Sequence, residues 1–257
     1  MDRHQRLHKL LDELNRNKIL EVDEVCKMMS ISPATVRRDF NYLSKYYEVD
    51  KTWGGITLRN TNKLDEARVS VQQRKTKNIA AKKAIAEKAA SLIGEGDIIF
   101  IDGGTTTLEM VPHLIHKKLK IITNSILIAQ QVDMLNDKFT SDVFVTGGLL
   151  YPDLSLVVGP QALEFIKGFN ANWTFLSTGG ITEEGATNHN VLVVETEKAM
   201  IDQSEKTVIL ADSSKFGKKD LVNICGLDEV DYLISEANEK NDYCSYLKAK
   251  GIQIILV

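Results

Sequence analysis

Cysteine is scarce. The chain of 257 residues holds three, Cys26, Cys225 and Cys244, odd in number and far apart. That excludes a disulfide framework, and with no Cys or His at ligand spacing it excludes a zinc ribbon or finger. The three read as reduced thiols of a cytoplasmic protein. The five histidines are equally scattered: His113 and His116 share a helical face but have no third ligand nearby, so no metal site is expected. No uninterrupted run of about 20 apolar residues is present to span a bilayer, and the first residues do not resemble a signal peptide. Neither Gly-x-x-x-x-Gly-Lys nor Gly-x-Gly-x-x-Gly occurs, which argues against a nucleotide cofactor. No nucleophile and base stand at recognisable spacing, so no catalytic residue is assigned. A large charge of one sign is missing too. The formal net charge is −3, and residues 1–59 hold 11 Lys and Arg against 9 Asp and Glu. Any grip on a polyanion must come from local placement of positive charge and from several copies acting together.

Such placement is present in Ser32-Pro33-Ala34-Thr35-Val36-Arg37-Arg38-Asp39. Ser32 is an N-cap side chain, Pro33 suits the first helical position, and Val36, Phe40 and Leu43 fall on one apolar face. Thr35, Arg38 and Asn41 are thereby left outward. Upstream, Leu7, Leu10, Leu11 and Leu14 mark one amphipathic helix, and Val22, Val25, Met28 and Met29 mark a second that ends at Ser30-Ile31-Ser32. Three helices and a short turn make a helix-turn-helix. Residues 48–58 follow with two β-prone stretches around Gly54-Gly55, the pattern of a wing hairpin. The expected unit is a winged helix over 1–58. Its candidate DNA contacts are Ser32, Pro33, Ala34, Thr35, Arg37, Arg38 and Asn41, with Lys51 in the wing.

The polar stretch 59–71 reads as a linker, and 72–257 as a second domain. Gln72 to Ile93 has helical periodicity, which predicts one long helix. Apolar runs then recur at 98–101, 120–123, 143–145, 174–176, 208–211, 232–235 and 253–257, separated by helix-length segments. This predicts a mostly parallel, doubly wound α/β sheet. The first five runs end in small polar clusters: Asp102-Gly103-Gly104-Thr105-Thr106-Thr107, Asn124-Ser125, Thr146-Gly147-Gly148, Ser177-Thr178-Gly179-Gly180 and Asp212-Ser213-Ser214-Lys215. In an open parallel sheet these converge on the crevice at the carboxyl ends of the strands. The Asp102 loop is the expected anion cradle, its glycines allowing close approach and the helix after it offering N–H groups. A Thr106–Glu109 capping box is the competing account of that loop. Lys215 either sets its ammonium over a phosphate or forms a surface ion pair with Asp212.

These motifs in this order, from Thr35-Val36-Arg37-Arg38-Asp39 and the Gly-Gly wing to Asp212-Ser213-Ser214-Lys215-Phe216-Gly217, resemble the DeoR family of bacterial regulators of sugar catabolism. The resemblance implies a DeoR-type winged helix and a sensor similar to ribose-5-phosphate isomerase folds. It further implies a self-associating repressor, dimer or tetramer, that leaves double-stranded operator DNA when a phosphorylated sugar binds. In the family pattern a basic residue and a lysine eight positions later open the sensor helix; Arg74 and Lys82 match those positions, either to bind phosphate or to relay its presence. Two departures stand out: Ser177-Thr178-Gly179-Gly180 replaces a family segment carrying a carboxylate, and Trp53 precedes the wing glycines where His or Tyr is frequent. The alternative is a sugar-phosphate isomerase or deaminase with an appended DNA-binding domain, recruiting Asp102, Glu195 or Asp212 as acid or base. Glu195, Glu197 and Lys198 otherwise read as helix surface.

Overall fold

The computed structural model describes residues 3–17, 19–47, 49–52, 54–58, 71–135, 138, 140–237 and 242–257. It divides into two compact units, residues 1–66 and 67–257. In the first, α1 (Arg3–Asn17), β1 (Ile19–Glu21), α2 (Val22–Met29) and α3 (Pro33–Tyr46) precede the wing strands β2 (Val49–Lys51) and β3 (Gly55–Leu58). Leu7, Leu10, Leu14, Val25, Val36, Phe40, Leu43 and Ile56 close one core. Ser30 ends α2 in the left-handed region at φ 53°, and the Ser32 hydroxyl accepts the Thr35 amide to start α3. The sheet order is β1-β3-β2, so the wing gains a strand from between the first two helices that the apolar pattern did not show. Both wing glycines are required. Gly54 turns at φ 103°, and a Cβ on Gly55 would stand 2.2 Å from the Leu20 carbonyl oxygen of β1. Trp53 lies outside the described residues.

In the second unit, α4 (Val71–Thr76) and α5 (Ile79–Ser91) replace the single helix expected over 72–93. Asn78 sits between them at φ 55°, ψ 35°, a left-handed conformation that a helix cannot pass through. Val71, placed in the linker by composition, is the first residue of α4 and is buried; 59–70 lie outside the described residues. The chain continues through β4 (Ile98–Ile101), α6 (Thr105–Leu108), α7 (Val111–Leu114), β5 (Lys120–Thr123), α8 (Ile126–Met134) and β6 (Asp142–Val145). A hairpin, β7 (Leu149–Tyr151) and β8 (Leu156–Val158), leads to α9 (Pro160–Lys167) and β9 (Ala171–Ser177). Next come β10 (Gly180–Thr182), β11 (Gly185–Asn188), α10 (Val191–Asp202), β12 (Ser204–Leu210), β13 (Val222–Cys225), β14 (Tyr232–Ser235), α11 (Asp242–Ala249) and β15 (Gln253–Leu256).

Seven strands form one parallel sheet in the order β15-β14-β12-β9-β4-β5-β6, and all seven were legible as apolar runs. Alternate side chains serve opposite faces. Ile99, Ile101, Phe175, Val208 and Leu210 pack with Ile85, Ala89, Leu108 and Leu114 from α5 to α7. Phe100, Leu176, Ile209 and Leu233 pack with Ile166, Val194, Met200 and Leu247 from α9, α10 and α11. Helices on both faces make the sheet doubly wound. The chain runs outward from β4 through β5 to β6, then returns to lay β9 against the other side of β4. The topological switch point therefore falls between β4 and β9, and the crevice of such a sheet opens where the Asp102 loop and Ser177 emerge. The antiparallel β10-β11-β13 sheet and the β7–β8 hairpin were not anticipated.

Candidate functional site

On α3, the spacing of Val36, Asp39, Phe40 and Leu43 turns those four side chains inward. Ala34, Arg37, Arg38 and Asn41, at i, i+3, i+4 and i+7, form the opposite, exposed stripe. Ser32 and Pro33 are exposed at the helix start, and Lys51 is exposed at the end of β2. Thr35 is half-buried and its hydroxyl lies 2.9 Å from that of Ser32, so the cap occupies both groups. Two guanidinium groups and an amide thus project from one rigid helix face. Such groups suit phosphate oxygens and the acceptor edges of guanine and adenine.

At the crevice, the Asp102 loop is built largely by its own contacts. The Gly103 amide donates to Asn124 Oδ1 at 3.0 Å and the Gly104 amide to Thr107 Oγ1 at 2.8 Å. Thr107 in turn donates to the Asp102 carbonyl at 2.7 Å, and Asn124 Nδ2 donates to the Asp102 carboxylate at 2.9 Å. The glycine amides expected to cradle an anion are thus already engaged, and Thr107, not a Thr106–Glu109 pair, closes the cap of α6. Thr105 and Thr106 are buried beside it, and the Ser125 hydroxyl caps α8 by accepting from Ile128. Gly103 is pressed against Leu156 of the hairpin and Gly104 against Ser177. Gly147 is exposed, Gly148 opens the hairpin at φ 125° against the Val158 carbonyl, and Gly179 and Gly180 lie against the Lys218–Asp220 segment.

A group of basic side chains stands at the same edge. Arg74 (α4), Lys82 (α5), Lys215 (in the 3₁₀ turn after β12) and His189 (between β11 and α10) influence one another electrostatically. Burial lowers the pKa of each below its ordinary value. Mutual repulsion adds to this in Lys82, Lys215 and His189, while Asp212 partly offsets it for the two lysines and Asp220 for the histidine. Asp212 is already engaged, accepting from Asn78 Nδ2 at 3.1 Å, from the Ser214 amide at 3.1 Å and from the Ser214 hydroxyl. Asp220 Oδ2 is 4.0 Å from His189 Nδ1. The Lys82 ammonium donates to the Arg74 carbonyl, and Arg74 Nε is buried with no partner among the described residues. Three crowded cations that disfavour one another's charge, with the neutral imidazole of His189 beside them, are the complement of an anion.

Glu197, read from sequence as helix surface, is fully buried. Its Oε1 accepts from Asn188 Nδ2 at 2.8 Å, while its Oε2, like Oδ2 of the equally buried Asp102, has no hydrogen-bond partner among the described residues. Burial raises the pKa of both acids and the Asp102 charge raises Glu197 further, so a proton kept on Glu197 satisfies the two orphaned oxygens by donating to Asp102. Val193, Glu197 and Met200 repeat at i, i+4, i+7, and this apolar periodicity was the signal that placed Glu197 inward. The three carboxylates an enzymatic reading would recruit are otherwise placed: Asp102 is sealed beneath its loop, Asp212 ties down Asn78 and Ser214, and Glu195 is exposed on α10. Two surface depressions, one walled by Glu184, Lys198, Asp202 and Glu229 and the other by Pro160 to Phe165, share no residue with the cation cluster. Among the described residues no group of three potential metal ligands occurs, and no helix is long and apolar enough to cross a membrane.

Residues 6–62 match the family model described as "DeoR-like helix-turn-helix domain", and residues 77–237 match "DeoR C terminal sensor domain". Relatives align over almost the full length. The chain is 30% identical to "Uncharacterized HTH-type transcriptional regulator YulB" of Bacillus subtilis (strain 168), over 98% of this chain and 96% of that one. It is 27% identical to "HTH-type transcriptional repressor GlcR" of the same organism, over 100% and 97%. It is 29% identical to "HTH-type transcriptional regulator UlaR" of Shigella dysenteriae serotype 1 (strain Sd197), over 99% and 98%. Among solved structures, ribose 5 phosphate isomerase A from Neisseria gonorrhoeae overlays with a TM-score of 0.37 at 18% identity, over 52% of each chain. So partial an overlay supports no functional argument, and the sheet is assigned from its own strand order.

Proposed function

The chain belongs to the DeoR family of transcriptional regulators, and from that premise we propose that it is a repressor of a carbohydrate-catabolism operon, released from its operator by a phosphorylated sugar. The observation that carries the effector half is the convergence of Arg74, Lys82, Lys215 and His189 at the carboxyl edge of the sheet. A phosphate there would neutralise repulsion that the cations otherwise bear, and a charge-assisted hydrogen bond is roughly twice as strong as a neutral one. The Asp102–Thr107 loop, Asn124-Ser125 and the Gly147-Gly148 and Gly179-Gly180 turns would shape the sugar end of the site, with Asp212 orienting Lys215. Repression agrees with the printed name of one relative. Self-association belongs to the same proposal, since even-numbered assemblies suit two-fold related half-sites. A cytoplasmic location suits DNA as the partner.

Thermal-shift screening against phosphorylated sugars and their unphosphorylated parents tests the effector, because a ligand selective for the folded state raises the melting temperature. One phosphosugar should stabilise the protein selectively, and Lys215→Ala should abolish that response while leaving the ligand-independent melting temperature within a few degrees. If no phosphosugar shifts the wild type, the cation cluster is not an effector site.

For the operator half, Arg38→Ala should weaken binding by about 1–3 kcal/mol and relax preference at one base pair if the guanidinium reads a base edge. A uniform loss across sequences, with a shallower salt dependence, would assign Arg38 to phosphate instead. Unchanged affinity would remove it from the interface.

A further inference from the structure

Three ties fasten α4 to the body of the sensor. Val71 is buried among Leu154, Leu156 and Val158 of the hairpin region and Val193 of α10. The Lys82 ammonium holds the Arg74 carbonyl, and the Asn78 amide holds Asp212. All three act at the two ends or along the backbone of the segment. None neutralises the Arg74 guanidinium, whose Nε is buried without a partner among the described residues and which this fastening keeps near the charges of Lys82 and Lys215. The helix is thus held in place against the repulsion of its own charged side chain. An anion entering between Arg74 and Lys215 changes the sign of that interaction: repulsion that loosens α4 becomes attraction that seats it. Lys82 need not let go of the carbonyl, because an ammonium has three donors. The Asn78 break matters here, since it separates α4 from α5 and allows α4 to move without dragging the helix that packs on the sheet. In the chain, α4 directly follows 59–70, the residues that lead out of the winged helix.

We propose that residues 71–78 are a strap that the effector clamps through Arg74, and that this clamping passes sensor occupancy to the segment joining the two units. The proposal rests on the effector reading above. It assigns Val71, which packs on the hairpin region, and Asn78, which binds Asp212, as positioning residues for Arg74. Because coupling is reciprocal, loosening the strap must also weaken the anion's hold.

The test uses full-length protein with inorganic phosphate, ribose 5-phosphate and fructose 1-phosphate as probes, read by calorimetry and by hydrogen exchange over 71–78. A probe that binds should slow exchange in 71–78. Val71→Ala should speed exchange there without ligand and weaken the probe by about tenfold, the scale of ordinary allosteric coupling. Asn78→Gly, which keeps the left-handed turn and deletes the amide, should do the same and guards against a packing defect peculiar to Val71→Ala. Binding that leaves exchange over 71–78 unchanged or faster overturns the strap alone. Affinity untouched by both variants also overturns it, leaving the effector reading standing. Failure of the probes and of the wider phosphosugar panel to bind removes both.

Discussion

Replacing Glu197 with Ala should destabilise the sensor by about 3–5 kcal/mol, while Glu197→Gln should leave it as stable as the wild type near pH 4 and more stable by about 1–3 kcal/mol at pH 8. The alanine removes the donor to Asp102 and the acceptor of Asn188 together, leaving a buried carboxylate without its partner. Glutamine keeps both bonds: its carbonyl accepts from Asn188 and its amide donates to Asp102, with no proton to retain. The pH dependence follows from the direction of the shifts. Burial raises both acids in the folded protein, Asp102 to about 6 and Glu197 well above its ordinary value. As pH rises from about 4, the unfolded chain gives up its protons first, so the folded state binds more protons and loses stability until its own raised values are passed. Other carboxylates shape the absolute curve. The difference between wild type and Glu197→Gln isolates this pair and should grow with pH, as read by urea denaturation at several pH values. If the glutamine variant is as damaged as the alanine at pH 8, no shared proton holds Asp102. The loop that Asp102 anchors reaches Gly103 through Asn124, so Glu197→Ala should also blunt any effector response that depends on the loop's shape.

The parts of this fold that read directly from sequence are those where one physical signal dominates. Apolar runs such as Ile98–Ile101 and Tyr232–Ser235 are buried on both faces of a parallel sheet and need no partner in sequence to be seen. Ser32 and Pro33 announce α3 by capping chemistry that acts within four residues. What escaped was decided by long-range contacts. Asn78 breaks a helix that Ala and Lys would have continued, and its left-handed turn coincides with a hydrogen bond to Asp212, 134 positions away. The Asp102 loop was legible as a place, but not its wiring: that its amides are taken by Asn124 and Thr107 follows from how β4 and β5 lie side by side. Glu197 was read by its charge, and its position in the apolar repeat of α10 proved the better guide. The cation cluster was legible by halves: Arg74, Lys82 and Lys215 from the resemblance and the strand ends, while His189 enters only because β11 delivers it to the same edge.

Asp39→Ala should unfold the winged helix, costing about 3–5 kcal/mol, and abolish operator binding without affecting the sensor's response to ligand. An acid in the middle of a helix proposed to meet DNA is at first sight a contradiction, since a carboxylate on the exposed face would repel phosphate. The fold resolves it by turning Asp39 inward, 2% exposed, between Val36, Phe40 and Leu43. Arg6 of α1 grips it bidentately, Nε to Oδ2 at 2.5 Å and Nη2 to Oδ1 at 3.2 Å. The pair fixes α3 against α1 while cancelling the acid's charge, so that Arg37 and Arg38 dominate the field on the outer face. Truncating Asp39 leaves the Arg6 guanidinium, itself 13% exposed, without that partner. A unit of about 60 residues has only a few kcal/mol of stability to lose. Calorimetry of the full chain should then show the N-terminal transition lost and the sensor transition retained. The double variant Arg6→Met with Asp39→Leu should restore the N-terminal transition, because apolar replacement of both buried partners is often neutral or better. Restored folding with weakened operator binding would mean that the ion pair also sets the angle at which α3 meets DNA; an N-terminal transition untouched by Asp39→Ala would show that the α1–α3 clamp contributes little.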